Sequence, residues 1–503
     1  MTIFVSLFSL QPWFFVLLSM FLYMFHVILC YFHRVSKCSG PPTFPVIGCL
    51  VSFYKNQHRL LDWYTELLAK SATKTIVVSR FGARRTIVTA NPANVEYMLK
   101  TNFNNFPKGK PFTDILGDFL GCGIFNVDGE LWRTQRKLVS HEFSANSLKE
   151  FVLHTLKDEV ENQLLPVLEG VAEKSQVVDL QQLLKRLAFN MICKVSLGVD
   201  RCCLDPSSPA PPLANAFDMA SEISARRAAQ PLFLVWKVKK WLGIGSERRL
   251  RDAIEVVREF VEEIIHSKKM KLQRKGELCC QDLLSRLILG GEDKEVIRDL
   301  MISLIMAGRD TTSAAMTWLF WLISCNPEIE QELIKETKFT KGKKLDYESL
   351  KELKLLNACL CESMRLYPPV AWDSKHAVIN DLLPDGTPVQ AGDRVTYFPY
   401  GMGRMEALWG KDWFKFKPKR WFCKKGKPKK VCPYKFPVFQ AGPRICLGKE
   451  MAFIQMKYVV ASILEQFEII PVSPDQPIFM PLLTAHMAGG LKVLVRRRDQ
   501  QSR

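Results

Sequence analysis

Hydrophobic positions dominate the start of the chain. Residues 1–32 contain no Asp, Glu, Lys or Arg, and residues 13–32 alone supply twenty mostly apolar positions, enough for one helix to cross the hydrocarbon layer of a bilayer. The run is too long for a signal peptide, and it lacks a small-residue cleavage site. Arg34 and Lys37 follow directly, which favours a cytosolic main body. The pattern therefore predicts a membrane anchor over residues 1–33.

A proline-containing segment separates this anchor from the rest of the chain. Residues 40–48 read GPPTFPVIG, and prolines cannot continue the anchor helix, so we expect a stiff hinge over residues 34–48 and one large domain over residues 49–503. Helical patterns fill much of residues 130–365, whereas residues 73–90 alternate and are rich in β-branched side chains, which is typical of a hairpin. The chain is therefore expected to be mainly α with smaller β-sheets (α+β).

A second long apolar pattern runs from Lys294 to Pro327. Arg309 and Asp310 at its centre would be costly in lipid, so a helix buried within the protein is predicted rather than a second membrane span. Small residues followed by Asp-Thr-Thr at residues 310–312 indicate a place where this helix loosens beside a ligand and turns its hydroxyls inward.

Composition removes several classes of function. The 15 cysteines are an odd number with no C-x-x-C spacing, which disfavours a disulfide framework and a zinc site and indicates reduced thiols facing the cytosol. The net charge of +19 favours acidic partners. Because the basic residues are scattered and no nucleic-acid motif stands out, we expect an anionic membrane face or an acidic protein rather than nucleic acid.

One cysteine occupies an unusual position. Cys446 lies between two glycines in the stretch FPVFQAGPRICLG, residues 436–448, with Arg444 two positions before it. Taken alone, it could be half of a disulfide, a zinc ligand, a catalytic nucleophile or a haem ligand. The rest of the chain has to decide between them.

Three further motifs precede this cysteine. They are AGRDTT at residues 307–312, the E-x-x-R pair of Glu362 and Arg365, and FKFKPKRWF at residues 414–422, which contains Arg420. Glu362 and Arg365 lie on one face of a helix. We predict that they form one buried ion network with Arg420, because an uncompensated buried charge is very expensive.

In this order, the four motifs resemble those of the cytochrome P450 haem-thiolate monooxygenases, and the resemblance extends from the anchor to the end of the chain. It implies the cytochrome P450 fold, with haem b bound through Cys446 as the axial thiolate ligand of the iron, which favours cleavage of the O–O bond. It also implies dioxygen as co-substrate and electrons from NADPH through a flavoprotein reductase. The residues that match cofactor-binding positions are Trp132, Arg136, Phe439, Gly442, Arg444 and Gly448.

The resemblance also implies roles for three polar residues. His376 is expected to bind the haem propionates together with Arg444, Trp132 and Arg136; the alternative is a strand histidine satisfied within the protein. Asp310 and Thr311 are expected to deliver protons to the oxygen side of the haem; the alternative is that both are satisfied locally within the helix. A non-oxygenating isomerase or dehydratase of the same fold is the remote alternative, and the intact Asp310–Thr311 pair favours dioxygen activation.

A closer resemblance is to the plant fatty-acid ω-hydroxylases, in stretches such as LGCGIFNVDGELWRTQRK, WDSKHA, LPDGTPV and YGMGRMEALWGKDW. It implies hydroxylation of the terminal carbon of a hydrophobic chain, with a fatty acid as the expected substrate. Jasmonoyl-amino acid conjugates and the side-chain end of sterols remain alternatives. A narrow apolar channel would hold the chain end-on, and its candidate residues, each equally ordinary as core, are Phe112, Leu116, Phe119, Ala307, Val370 and Trp372.

The expected setting follows from the same resemblance. It is the endoplasmic reticulum membrane, with a single span, a cytosolic catalytic domain, and NADPH-cytochrome P450 reductase as the electron donor. Five lysines within residues 423–432 (CKKGKPKKVC) are expected near the proximal face, where the reductase docks; the alternative is a solvated surface loop. The lipid bilayer and a hydrophobic small molecule complete the expected partners.

Overall fold

The computed structural model describes residues 16–25, 40–144, 146–200, 204–205, 208–209, 211–230, 234–275, 282–339 and 346–498. The predicted anchor over residues 1–33 and the first part of the predicted hinge lie largely outside this range, with residues 16–25 helical. Among the described residues, no helix is long and apolar enough to cross a membrane.

Helices make up most of the described chain. In order they are α1 (16–25), α2 (Leu50–Asn56), α3 (Leu60–Lys70), α4 (Pro92–Glu96), α5 (Lys110–Leu120), α6 (Gly129–Ser144), α7 (Asn146–Glu159), α8 (Leu165–Glu173), α9 (Leu180–Leu197), α10 (Pro212–Ala229), α11 (Leu234–Leu242), α12 (Ser246–Lys275), α13 (Leu283–Leu289), α14 (Lys294–Ser324), α15 (Pro327–Phe339), α16 (Tyr347–Glu352), α17 (Lys354–Leu366), α18 (Pro399–Gly403), α19 (Glu406–Trp409) and α20 (Lys449–Gln466). The prediction of a mainly helical fold is confirmed.

The strands form small sheets. They are β1 (Thr75–Val78), β2 (Thr86–Thr89), β3 (Val177–Asp179), β4 (Asp373–His376), β5 (Asp381–Leu382), β6 (Pro388–Val389), β7 (Arg394–Tyr397), β8 (Phe467–Pro471), β9 (Phe479–Met480), β10 (His486–Met487) and β11 (Lys492–Arg497). A four-stranded sheet has the order β1-β2-β7-β4, a three-stranded sheet has the order β3-β11-β8, and β9–β10 and β5–β6 are two-stranded.

The hairpin predicted over residues 73–90 is confirmed. Strands β1 and β2 pair antiparallel, with Thr75 opposite Thr89 and Val78 opposite Thr86. Strand β2 then pairs in parallel with β7, and β7 pairs antiparallel with β4. The beginning of the domain and the segment after α17 are thereby joined in one sheet, although some 300 residues separate β2 from β7 in the chain.

Helix α14 is the axis of the molecule. Its first half, Ile297 to Ile305, packs in an apolar cluster with α5, α9, α10 and α12, and its second half, Ala315 to Ile323, packs in another with α7, α17 and α20. The helix is therefore buried in protein, as predicted. The AGRDTT motif falls between the two clusters, where the packing on the helix changes partners.

The prediction that α14 loosens at this motif is wrong. The helix runs without interruption from Lys294 to Ser324. The hydroxyls instead donate to carbonyls one turn earlier in the same helix: Thr311 to Ala307 at 2.6 Å and Thr312 to Gly308 at 2.7 Å. This local bonding satisfies the hydroxyls without opening the backbone ladder.

Candidate active site

The loop that carries Cys446 is held from both sides. At its start, Gly442 has a φ of +65°, and a Cβ there would collide with the Leu99 carbonyl oxygen, so glycine is required. The Cys446 N–H donates to the Phe439 carbonyl at 2.8 Å, and Gly448 is the N-cap of α20. The rings of Phe439 and Phe453 lie 5.3 Å apart between centroids, which joins the loop to that helix. The sulfur is thus presented by a backbone with little freedom.

The thiol of Cys446 has many protein atoms around it although the residue is exposed. Its surface is accessible, yet burial raises its pKa above the usual value. The backbone of Gly448 and the cations Arg136 and Lys449 act in the opposite direction and favour the thiolate. Because the thiolate is the form that ligates a metal, these three groups prepare the sulfur for that role.

Two arginines and a tryptophan converge beside this thiol. The Arg444 guanidinium lies 4.4 Å from the centre of the Trp132 ring and bonds to Asp128 at 2.7 Å and to the Val127 carbonyl at 2.9 Å. Burial lowers the pKa of Arg444; Asp128 opposes this shift, whereas Arg136 adds to it. Burial also lowers the pKa of Arg136, which has no hydrogen-bond or ion-pair partner within the described part of the chain. Two guanidinium groups therefore lie close together, and the carboxylates of Asp128 and Asp373 act on Arg444.

His376 ends strand β4 on the same side of the molecule. Its Nδ1 lies 2.5 Å from the Lys108 carbonyl oxygen, to which it must donate, while its Nε2 is buried and lacks a partner among the described residues. Burial lowers the pKa of His376 to about 4, so the neutral ring presents an Nε2 lone pair rather than an N–H. His376 would have to gain a proton to bind a carboxylate through Nε2. The alternative of a strand histidine satisfied within the protein holds for Nδ1 but not for Nε2 among the described residues.

A buried charge cluster next to His376 was missed from the sequence. The Asp373 carboxylate accepts from Lys108 at 2.6 Å, Lys375 at 2.9 Å, Gln440 at 2.6 Å and the Tyr397 hydroxyl at 3.0 Å. Burial lowers the pKa of Lys375 to about 7 although Asp373 opposes it, and Lys108 and Arg444 lower it further. Asp373, Lys375 and His376 all lie in the stretch WDSKHA on β4. Side chains alternate along a strand, and of Lys375 and His376 it is Lys375 whose pKa Arg444 affects.

The charges around Arg136 and Arg444 fit a dianionic cofactor. The groups that interact there are Arg136, Arg444, Lys108 and Lys375 on the basic side and Asp128 and Asp373 on the acidic side. Four basic groups therefore face two carboxylates, although Lys375, with its pKa of about 7, carries only part of its charge at neutral pH. Buried cations need counter-ions. Haem b brings two propionates, and Cys446 offers a thiolate ligand for its iron. Arg136, Arg444 and Trp132 would hold the propionates, with Lys375 as an additional cation.

Comparison with known proteins agrees with this fit. The family model described as cytochrome P450 matches residues 38–492. The chain belongs to the cytochrome P450 family. It is 59% identical over 474 residues to cytochrome P450 94B1 of Arabidopsis thaliana, covering 93% of each chain. It is 44% identical to cytochrome P450 94A1 of Vicia sativa, covering 91% of each, and 43% identical to a Paris polyphylla relative, CYP94D108, covering 85% of this chain and 86% of the other.

Membership of this family defines the general chemistry. The chain is a haem-thiolate cytochrome P450 monooxygenase that uses dioxygen and electrons drawn from NADPH through a reductase. The family match includes most of the helices and most of the strands of the described chain.

The structure brings Glu362, Arg365 and Arg420 together in this cytochrome P450. Glu362 and Arg365 are fully buried on α17, and Arg365 binds both carboxylate oxygens at 2.8 Å. Arg420 donates to the same carboxylate at 3.2 Å and to Asp412 at 3.0 Å. The Lys417 N–H and the Trp421 ring N–H complete the set, each at 3.0 Å. Every buried charge in this network has a partner.

Four of the six channel candidates pack in two separate clusters, and Ala307 and Val370 belong to neither. Leu116 and Phe119 of α5 are buried in the cluster that also contains Phe217 of α10, and Phe112 packs at its edge. Trp372 packs in a separate cluster around the four-stranded sheet, stacked on Phe398. Ala307 and Val370 are partly accessible. The α5 residues and Ala307 lie on helices that contact one another, whereas Trp372 does not join them.

Replacing Glu362 by glutamine should destabilise the domain strongly. Two buried arginines would face a neutral amide, and breaking a buried pair costs about 3–5 kcal/mol. Chemical unfolding of the purified protein measures this loss. Glu406→Gln is the matched control, because Glu406 is exposed on α19 and its replacement should change stability by less than about 0.5 kcal/mol. Equal stability of the two variants would contradict the central place of the network.

Proposed function

We propose that this cytochrome P450 hydroxylates the terminal (ω) carbon of a hydrophobic chain, and that the substrate is a fatty acid. The supporting observation is an apolar wall: Leu447, next to Cys446, packs against the same cluster as Leu116 and Phe119 of α5 and Met306 of α14. A terminal methyl has stronger C–H bonds than the methylenes beside it. Positioning must therefore select it, and an apolar wall that aligns a chain end-on supplies such positioning.

Residues of this chain would bind the cofactor, shape the cysteine loop and transfer protons. Bound haem supplies the dioxygen-activating chemistry. Cys446 would hold the iron, while Arg444, Trp132 and Arg136, with His376 or Lys375, would hold the propionates. Phe439, Gly442 and Gly448 fix the loop around the sulfur. Asp310 would exchange protons with solvent, and Thr311 would pass them on from its place beside the Ala307 carbonyl.

The setting proposed for the enzyme is the endoplasmic reticulum membrane, with residues 1–33 as a single anchor, residues 34–48 as a hinge and residues 49–503 in the cytosol. Helix α11 supports contact with a bilayer. It exposes Leu234, Val238 and Trp241, the last with 85% of its surface accessible, beside Lys237 and Lys240. Exposed apolar side chains flanked by lysines favour an anionic lipid surface.

The substrate is tested directly. The full-length enzyme in microsomes with reductase and NADPH should convert a medium-chain fatty acid such as lauric acid to its ω-hydroxylated product, identified by mass spectrometry. Jasmonoyl-isoleucine and a hydroxylated sterol are offered in parallel, and microsomes with the Cys446→Ala variant provide the control without product. Oxidation of only the conjugate or the sterol, or hydroxylation inside the fatty chain, would contradict the proposal.

Thr311→Ala should uncouple the enzyme. Loss of the hydroxyl removes a proton-transfer group, so the product formed per NADPH should fall at least about ten-fold while peroxide rises. Thr312→Ala is the matched control, since Thr312 makes the same bond one turn back but is more buried. The measurement compares NADPH, peroxide and product in one reaction. If Thr311→Ala forms as much product per NADPH as Thr312→Ala, the protons arrive by another route.

The electron donor is proposed to be NADPH-cytochrome P450 reductase, steered by a cationic loop. Lys424, Lys425, Lys427, Lys429 and Lys430 are all exposed. They lie on and after a turn that is closed by a hydrogen bond of 2.9 Å from the Cys423 N–H to the Lys427 carbonyl. This turn follows Arg420 and Trp421 closely in the chain. Attraction of this kind mainly raises the association rate of an acidic partner.

Replacing these five lysines by glutamine should slow reductase-supported turnover most at low salt. The Debye length is about 10 Å at 0.1 M and about 3 Å at 1 M salt, so the difference should vanish as salt rises. Substrate binding should not change. The control replaces five exposed lysines elsewhere: Lys55, Lys70, Lys174, Lys271 and Lys338. Rates identical to those of the unmodified enzyme across the salt series would leave the loop without a role in docking.

A further inference from the structure

An ion cluster around Arg309 joins three helices. Arg309 is buried in the middle of α14, and its Nη1 lies 2.8 Å from Oδ1 of Asp218 on α10. The same Asp218 oxygen lies 2.7 Å from Lys185 Nζ on α9. The Arg309 guanidinium also lies 5.1 Å from the centre of the Phe189 ring, again on α9. We call Arg309, Asp218 and Lys185 the Asp218 latch, because the carboxylate holds a cation from each neighbouring helix.

Arg309 has a second carboxylate within reach. Its Nε lies 3.7 Å from Oδ1 of Asp310, which is close enough for an ion pair but too far for a hydrogen bond. Both atoms are buried, and neither has a hydrogen-bond partner in the described part of the chain. The contact of Nη1 with Asp218 is shorter, but it is likewise an ion pair without hydrogen-bond geometry. Such orphaned groups are costly. A small rotation of the arginine would join them, so Arg309 is poised between two carboxylates and engages Asp218.

The surrounding charges favour this choice. Burial acts to raise the pKa of Asp218, but Arg309 and Lys185 outweigh it and hold that pKa below its usual range, so Asp218 stays ionised. His486 on β10 faces Lys185, Asp310 and Asp218; burial lowers its pKa, so it adds no charge at neutral pH. Two cations, Arg309 and Lys185, are thus balanced by two carboxylates, Asp218 and Asp310. Without the Asp218 charge, Asp310 would be the one remaining anion in this group.

We propose that Asp218 is a positioning residue: it keeps Arg309 from forming a hydrogen bond with Asp310, and so leaves that carboxylate oxygen open to exchange protons during the reaction. This rests on the proposed role of Asp310 in proton supply. An arginine hydrogen-bonded to Asp310 would occupy that oxygen and would favour the ionised form further, because a hydrogen bond to the charged form stabilises it. The latch would therefore act on proton delivery through Arg309, not by a proton exchange of Asp218 itself.

The test uses the full-length enzyme with reductase, NADPH and the substrate identified for it. Asp218→Asn should reduce the product formed per NADPH by about five-fold and raise the solvent isotope effect, because Arg309 turns to Asp310. Adding Arg309→Gln to that variant should restore the coupling to within about two-fold of the original, since no guanidinium remains to form a hydrogen bond with Asp310. The haem-carbon monoxide spectrum of each variant checks that the cofactor is bound.

The outcomes distinguish the role of the Asp218 latch from the proposed role of Asp310 in proton supply, on which it rests. Asp310→Asn with unchanged coupling and isotope effect would overturn the proton role, and the latch with it. Uncoupling by Asp310→Asn but not by Asp218→Asn would overturn the latch alone, as would a double variant that remains as uncoupled as Asp218→Asn. Should Asp218→Asn fail to fold, Arg309→Gln alone decides: undiminished coupling supports the latch, and marked uncoupling contradicts it.

Discussion

A single buried carboxylate constrains much of this molecule. Glu362 has no accessible surface, so its charge must be matched inside the protein, and five hydrogen bonds meet at its two oxygens. The donors come from α17 itself and from residues 417–421, and Arg365 also binds the Gly403 carbonyl. The segment leading to the cysteine loop is therefore fastened to the helical core through one charge. The position of the sulfur depends on that attachment.

At the residues that would hold haem, basic groups outnumber acidic ones. Burial disfavours the charged forms of Arg136, Arg444 and Lys375. A dianion that enters gains from cations already in place. A ligand that binds the folded state also raises its stability by mass action. Loading of the cofactor and completion of the fold are linked for this reason.

The parts that sequence could predict are those in which the chemistry is local. The cysteine loop lies within thirteen residues, and the hairpin of β1 and β2 joins near neighbours. The Asp373 cluster could not be found in this way, because Lys108 reaches Asp373 across 265 positions of the chain. Lys375 and His376 are adjacent on β4, so the sequence alone does not show which of them lies beside Arg444. The hydroxyls of Thr311 and Thr312 are satisfied by carbonyls of α14 itself, and the motif alone does not specify this. Trp372 is predicted to line the channel with the α5 residues, but it packs in a different cluster.

Helix α10 carries two neighbouring residues with different tasks. Phe217 packs against Phe119 and Phe189 in the apolar cluster, and Asp218 holds Arg309 of α14. Successive residues of a helix point about 100° apart but move as one body. On the proposals made above, a shift of α10 that accommodates a bulkier molecule also displaces the latch. The range of substrates and the product formed per NADPH are then linked. Divergence of this enzyme toward new substrates would therefore select for compensating changes in α9 or α14.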